Sequence, residues 1–386
     1  MSSKARAIAV FDISSSSVGG AHALIDASGS AAAVTFLVQE RRDSGLDEEL
    51  NIERFVEDSA KALEVVIDQV RTADVHHPEY IQVVLSSPWY TSLTRTITYS
   101  KTTIFTCTKR LVDSLIEKEI AFLLKDPAIA GTAFGDGFKV AEQQLSNVLL
   151  NGYESNDPYG KKAQTLELTL MVTLIPDIVA ERFTSILRRS YGDRTINVTT
   201  GVHAAFVSLR DNGGIESPCV IIDVGEEVTD VAVVKNNGLQ SQHSFPIGTY
   251  ELYRALGAVT KSTAQARALV EGYRLKKLTP SNVRIVEKAL QAFSQKWIES
   301  CRSVVEAVHD GMRMPSQYYI SADQRFEAIF PALISTDAFL QHGTVSQSIN
   351  ATFITAAQLS AGIKTASAEQ PDASLAIGAL FSERLL

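Results

Sequence analysis

Apolar residues at the start of the chain fall into short runs that predict strands. "AIAVF" ends at Asp12, a turn rich in serine and glycine follows, and "GAHALID" and "SAAAVTFLVQE" supply two more strands. The charged stretch "RRDSGLDEELN" reads as a loop. Beyond it, "IERFVEDSAKALEVVIDQVRT" repeats apolar residues at helical spacing, so that Phe55, Leu63, Val66 and Ile67 share a face that would cover a sheet. "YIQVVLSS" is then a buried strand.

Near residue 88 the pattern changes. "TSLTRTITYS" alternates as a half-buried strand, and "KRLVDSLIEKEIAFLLK" is an amphipathic helix with Leu111, Leu115 and Phe122 on one face. Two long strand-like runs follow, "KVAEQQLSNVLLNGY" and "QTLELTLMVTLIP", joined by the turn-rich "ESNDPYGKKA", and then the helix "DIVAERFTSILRRSY". Residues 88–192 are thus expected to form an inserted module of strand, helix, strand, strand. From about Ser217 the opening pattern returns as "PCVIIDV", "TDVAVVKNN" and "GLQSQHSFPIG", followed by a helical region over about 249–312. "PDASLAIGALFSERLL" predicts a closing helix with Asp372 as its N-cap. The expected plan is a first domain of 1–87 and 193–216, closed by 365–386, and a second domain of 217–364.

Composition narrows the function. The chain has 386 residues, 45% hydrophobic and 21% charged, as in an ordinary globular protein of two to three domains. A net charge of -8 with no Lys/Arg cluster argues against nucleic-acid binding. No apolar run approaches the ~18 residues of a membrane span. Cys107, Cys219 and Cys301 are widely spaced and odd in number, which predicts buried thiols in a reducing cytoplasm. The seven histidines show no metal-ligand spacing, His76 and His77 lie in a polar loop, and no catalytic residue set stands out. Trp89 either packs at the entry to the inserted module or contacts a partner.

The chemistry that remains lies in two similar turns, "FDISSSSVGGAHAL" and "VIIDVGEEVTDVAVV". A strand that ends in Asp before a turn of small residues can direct backbone N–H groups at a phosphate, while the carboxylate holds the water shell of Mg2+. Taken singly, each reads better as a polar hairpin turn. A pair in two halves suggests related domains facing across a cleft. The chain here resembles the actin-like ATPase superfamily, with its ribonuclease H-like two-domain α/β fold, and within it the FtsA and PilM branch. "HSFPIGTYELYRAL" is similar to the strand and turn after that branch's second phosphate motif, and "DASLAIGALF" to the superfamily's closing helix. The inserted module resembles the SHS2, or 1C, domain of FtsA and PilM. The resemblance implies a nucleotide site of Asp12, Ser14, Ser15, Ser16, Ser17, Asp223, Gly225, Thr229 and Asp230, with Asp12 and Asp223 holding Mg2+ through water.

The chain departs from that pattern around the nucleotide. Glu226 and Glu227 stand where a glycine run is usual, and a like-charge pair at ~4 Å costs on the order of 4 kcal/mol at an effective dielectric near 20. "ARALV", with Arg267 and Val270, replaces an acidic and a basic residue beside the nucleoside, and Ser321, Ala322 and Asp323 replace a Gly-Gly turn. The expectation is a cytoplasmic scaffold with a degenerate site that binds Mg-ATP weakly. The resemblance implies a role in bacterial cell division or type IV pilus assembly, through protein partners bound by residues 91–176 and with self-association in view. The chain ends without a recognisable membrane-binding helix, so a partner is expected to recruit it to the inner face of the membrane. The alternatives are an active ATPase of the same fold and, less well matched by the inserted module, a sugar or acetate kinase.

Overall fold

The computed structural model describes residues 5–26, 33–43, 52–74, 76–126, 137–257, 259–260, 262–308, 315–336, 339, 348–360, 362–367 and 369–385. Most of the stretch expected as a charged loop, 44–51, lies outside them, as does the end of the expected helical region.

The chain opens with β1 (Arg6–Ile13), β2 (Ser17–Asp26) and β3 (Ala33–Asp43), then α1 (Ile52–Ala73) and β4 (Tyr80–Leu85). The inserted stretch holds β5 (Thr91–Thr106), α2 (Lys109–Leu123), β6 (Phe138–Leu150), the short β7 (Tyr153–Glu154), β8 (Lys162–Pro176) and α3 (Asp177–Tyr191). The chain returns through β9 (Thr195–Thr200) and α4 (Gly201–Ser208). The second half has β10 (Cys219–Val224), β11 (Thr229–Lys235), β12 (Gly238–Phe245), α5 (Thr249–Gly257), α6 (Thr263–Arg274), α7 (Pro280–Val308), β13 (Gln317–Ala322), α8 (Phe330–Ile334) and β14 (Asn350–Phe353). It ends with α9 (Ala356–Leu359), β15 (Ile363–Thr365) and α10 (Ala373–Ser382).

Among the described residues the two large sheets share one topology. The first runs β15-β3-β2-β1-β4-β9 and the second β12-β11-β10-β13-β14. In each, a three-stranded antiparallel meander continues into two parallel strands. The central strands are buried on both faces, which explains their continuous apolar runs. In β1, Ile8 and Val10 face a core shared with α4, α10 and Ile221 of β10, whereas Ala9, Phe11 and Ile13 face α1 and α3. In β10, Val220 and Ile222 face the helices of the second half. The layers therefore run helices, sheet, the α4–α10 pair, sheet, helices, and one apolar core passes under both sheets.

The inserted sheet runs β5-β8-β6-β7 and has its own core, in which Leu166, Leu168, Leu170, Val172 and Leu174 of β8 meet Val112 and Leu123 of α2. Phe122, expected on the inner face of α2, is 62% exposed. The apolar stripe is centred on Val112 and Leu123, with Leu111 and Leu115 at its margin, and this rotation carries Phe122 into solvent. Helix α3, counted with the insert on sequence, buries Val179, Phe183, Ile186 and Leu187 in the core of the first half and pairs Arg182 with Glu57 of α1. Strand β3 also extends further than expected. It pairs with β2 as far as Asp43, so that "RRD" belongs to the strand and not to a loop.

Glu142 of β6 fastens the inserted sheet to the first half. Its carboxylate accepts hydrogen bonds from the Thr199 hydroxyl and from the N–H and hydroxyl of Thr200, and lies 3.0 Å from Nδ1 of His203. These groups form the start of α4, so Glu142 satisfies a helix N-terminus from another element. Burial pushes its pKa up, but His203, Thr199 and Thr200 outweigh it, and the net shift is below the ordinary 4.5. A lowered carboxyl pKa adds stability that is present above the unfolded-state value and lost as pH falls through the folded one. Glu142→Ala should therefore destabilise the protein at neutral pH by about 1–3 kcal/mol. The difference from wild type in urea unfolding should shrink below pH 4.5.

Candidate functional site in the interdomain cleft

The first turn is only Ser14–Ser16, because β1 runs through Asp12 to Ile13 and β2 begins at Ser17. The Ser14 N–H donates to the Ser17 carbonyl at 3.0 Å, and Trp89 Nε1 donates to the Ser14 carbonyl at 3.0 Å. Trp89 is fully buried, stacked on Phe55 and edge-on to Phe183, so packing is its role and a partner contact is excluded. Gly19 and Gly20 lie inside β2 and not in the turn. A Cβ on Gly19 would stand 2.6 Å from Arg41 Nη2, and one on Gly20 would meet Val66 at 2.4 Å. The two glycines thus make room for side chains.

The side chain admitted by Gly19 is decisive for Asp12. Arg41 Nη2 donates to Asp12 Oδ2 at 2.8 Å and to Asp372 Oδ1 at 3.0 Å, Nε to Asp372 Oδ2 at 2.7 Å, and Nη1 to Ser17 Oγ at 3.0 Å. Burial pushes the Asp12 carboxyl up to about 6; the Arg41 guanidinium opposes the shift, and the charges of Asp372 and Glu226 add to it. The carboxylate expected to hold a hydrated metal is bonded to a cation supplied by the chain.

In the second turn, Gly225 N–H donates to the Val228 carbonyl at 3.0 Å. The turn sits on the N-terminus of α5, whose Thr249 and Tyr250 N–H groups donate to the carbonyls of Gly225 and Glu226 at 3.0 and 2.8 Å. Asp223 and Asp230 are directly opposite each other across β10 and β11. Burial raises Asp223 to about 8, the Asp230 charge adds to this, and a Ser321 hydrogen bond opposes it. Asp230 is likewise raised by burial, against bonds from Ser244, Ser87 and Tyr90, whose hydroxyl donates at 2.8 Å. Thr229 faces away from the cleft: its hydroxyl donates to the Ile247 carbonyl and accepts from Trp297 Nε1.

The two glutamates, expected to act together, behave differently. Glu227 turns to Arg254 on α5. Glu226 crosses to the first turn, where Ser15 Oγ donates to Oε2 at 2.9 Å and Ser14 Oγ lies 3.3 Å from Oε1. Beside this contact Ser16 bonds Tyr250, whose hydroxyl also accepts from Arg267. Arg267 in turn pairs with Asp43 at the end of β3, and Arg267 and Arg325 both stand over the Tyr253 ring. Asp12, the four serines, Asp223 and Gly225 thus converge, whereas Thr229 and Asp230 serve the packing behind the second turn. Sequence reasoning missed Arg41, Asp43, Asp372, Tyr90 and Tyr250. The adjacent Gly19 and Gly20, opposite the end of a neighbouring strand, were the one available sign of a large side chain lying across β2.

Two sheets of one topology, each offering a hairpin turn to a shared cleft, define the actin-like fold, and this chain has it. Comparison with solved structures agrees. The chain is similar to the structure described as "PilM-PilN type IV pilus biogenesis complex", with a TM-score of 0.65, 12% identity and 98% of each chain covered. Weaker likeness extends to a diol dehydratase-reactivating factor in nucleotide-free form, with a TM-score of 0.48, 12% identity, and 99% of this chain and 100% of that one covered. It extends also to the ethanolamine utilization protein EutJ from Carboxydothermus hydrogenoformans, with a TM-score of 0.46, 10% identity, and 98% and 88% covered. No family model and no curated protein sequence matches the chain.

The geometry of the second turn depends on Gly248. A Cβ there would stand 2.2 Å from the Glu226 carbonyl oxygen, which is backbone and cannot move aside cheaply. Gly248→Ala should destabilise the protein by about 2 kcal/mol or more in chemical denaturation. Gly257→Ala is the control, because a Cβ at Gly257 meets nothing within 4 Å.

Proposed function

We propose that the chain is a cytoplasmic actin-like scaffold of the FtsA and PilM type, that its inserted sheet is an SHS2 module, and that it works by binding a protein of the type IV pilus or cell-division machinery and not by turning over nucleotide. The Glu226 contact with Ser14 and Ser15 carries this reading, because it puts a carboxylate where the resemblance expects phosphate oxygens. The Arg41–Asp12 pair supports it by occupying the carboxylate expected to serve a metal. These residues do not fit Mg-ATP as they stand. The whole-chain likeness to PilM, solved with PilN, favours the pilus machinery over division. Residues 91–176 are the proposed partner surface, and there Ile104, Tyr153 and Tyr159 are 66, 79 and 45% exposed. Self-association and recruitment to the membrane by the partner belong to the same proposal.

The alternative is a working ATPase, favoured by the way the two turns face each other with Asp12 and Asp223 close by. Calorimetric titration decides between the two. Wild-type protein should bind Mg-ATP with a Kd weaker than about 100 µM, or less than about 5.5 kcal/mol. Glu226→Gly should tighten binding at least tenfold, the effect of removing more than ~1.4 kcal/mol of repulsion. Glu227→Gly should change nothing, since that side chain is held by Arg254. Micromolar binding by the unaltered protein would establish the ATPase reading instead.

No helix among the described residues is long and apolar enough to cross a membrane. The apolar residues of α10, Leu375, Ile377 and Leu380, are buried in the shared core. Interfacial binding needs a free amphipathic helix with a cationic face. The purified 386-residue chain should therefore stay in the supernatant when anionic liposomes are sedimented.

A further inference from the structure

We infer that Glu226 is a built-in occupant of the phosphate position, and that with its flanking contacts it holds the two halves closed without any nucleotide. This rests on the reading of the cleft given above. Both walls of the seam are braced from behind: the first turn by Trp89 and Ser17, the second by the N-terminus of α5. Polar contacts between residues far apart in sequence join the walls. Glu226 bonds Ser14 and Ser15, Tyr250 bonds Ser16, Arg267 pairs with Asp43, and Gln324 Nε2 lies 3.3 Å from Gln370 Oε1. The apolar core around α4 and α10 continues under both sheets and serves as the pivot. In a two-domain clamp that depends on a ligand, the bridging group arrives from solution and its loss opens the cleft. Here the bridging carboxylate is part of the chain, so its local concentration never falls. Opening then requires breaking internal bonds, and the closed form becomes the resting state offered to a partner.

Double electron–electron resonance on the full chain tests this. Spin labels are placed through Asp68→Cys on α1 and Lys288→Cys on α7, both exposed, while the three native thiols are buried. The otherwise unaltered protein should give one distance distribution that millimolar Mg-ATP does not change. Glu226→Ala should shift it to longer distances, raising the open-to-closed ratio roughly tenfold, as loss of a charge-assisted hydrogen bond does across a two-state equilibrium. Inorganic phosphate should restore the closed distance in that variant, because an oxyanion can then reach Ser14 and Ser15. The Ser14→Ala/Ser15→Ala double variant breaks the same contact from the other wall and should open the cleft without phosphate rescue. If the protein ignores Mg-ATP yet Glu226→Ala and the serine double variant both keep the wild-type distances, the inference is overturned and the scaffold reading stands. If the unaltered protein binds Mg-ATP tightly and its distances move with it, both fall together.

Discussion

The guanidinium of Arg41 is the charge around which this structure is arranged. It stands among the end of β1, the start of β2 and the start of α10, and bonds a side chain on each: Asp12, Ser17 and Asp372. Asp372 also caps α10, accepting from the N–H groups of Ser374 and Leu375. Helix α10 lies between the two sheets, so the ion pair sets where the inner layer begins. Arg41 can reach this place only because Gly19, directly opposite it in β2, has no side chain. Without the cation, Asp12 and Asp372 would be two carboxylates close together at a buried site, which is strongly unfavourable.

How much of this was legible in the sequence follows from which forces each element obeys. The meanders β1–β2 and β10–β11 and helix α10 could be read because their patterns are set by their own residues: apolar runs, turn residues and the Asp372 cap. The end of β3 could not, since "RRD" has no strand pattern and extends only because β2 offers it a ladder. The two glutamates are neighbours of identical chemistry, and what separates them is Arg254, on a helix that follows the whole β11–β12 hairpin. Thr229 and Asp230 were placed at the site by motif, but Thr229 answers to Trp297 and Asp230 to Tyr90, contacts that only the folded chain brings about. Phe122 missed the inner face because the stripe on α2 is centred on its neighbour Leu123.

The inserted sheet is joined to both halves by polar contacts of different depth. Glu142 enters the start of α4 in the first half, where three donor groups and the His203 ring surround its carboxylate. Towards the second half, Gln240 Nε2 donates to the Ser146 carbonyl, and Asn236 to Glu154 near the surface. Deeper in, Tyr90, the residue before β5, donates to Asp230 and accepts from Gln242. The chain therefore leaves the first half for the insert at a residue bonded to the second half. The base of β5 is thus held by the second half as well as the first.

The remaining carboxylates show how the acids of the two turns are held by groups of the protein. Asp12 has Arg41 and Glu227 has Arg254, while Glu226 accepts hydrogen bonds from the hydroxyls of Ser14 and Ser15. Asp223 and Asp230 face each other, and among the described residues no cation is bonded to either. Burial and the Asp230 charge raise Asp223 to about 8, and burial raises Asp230 as well, so the pair resists carrying two charges at once. Asp230 accepts bonds from Tyr90 and Ser244. Two arginines and a set of hydroxyls thus hold the acids contributed by both turns.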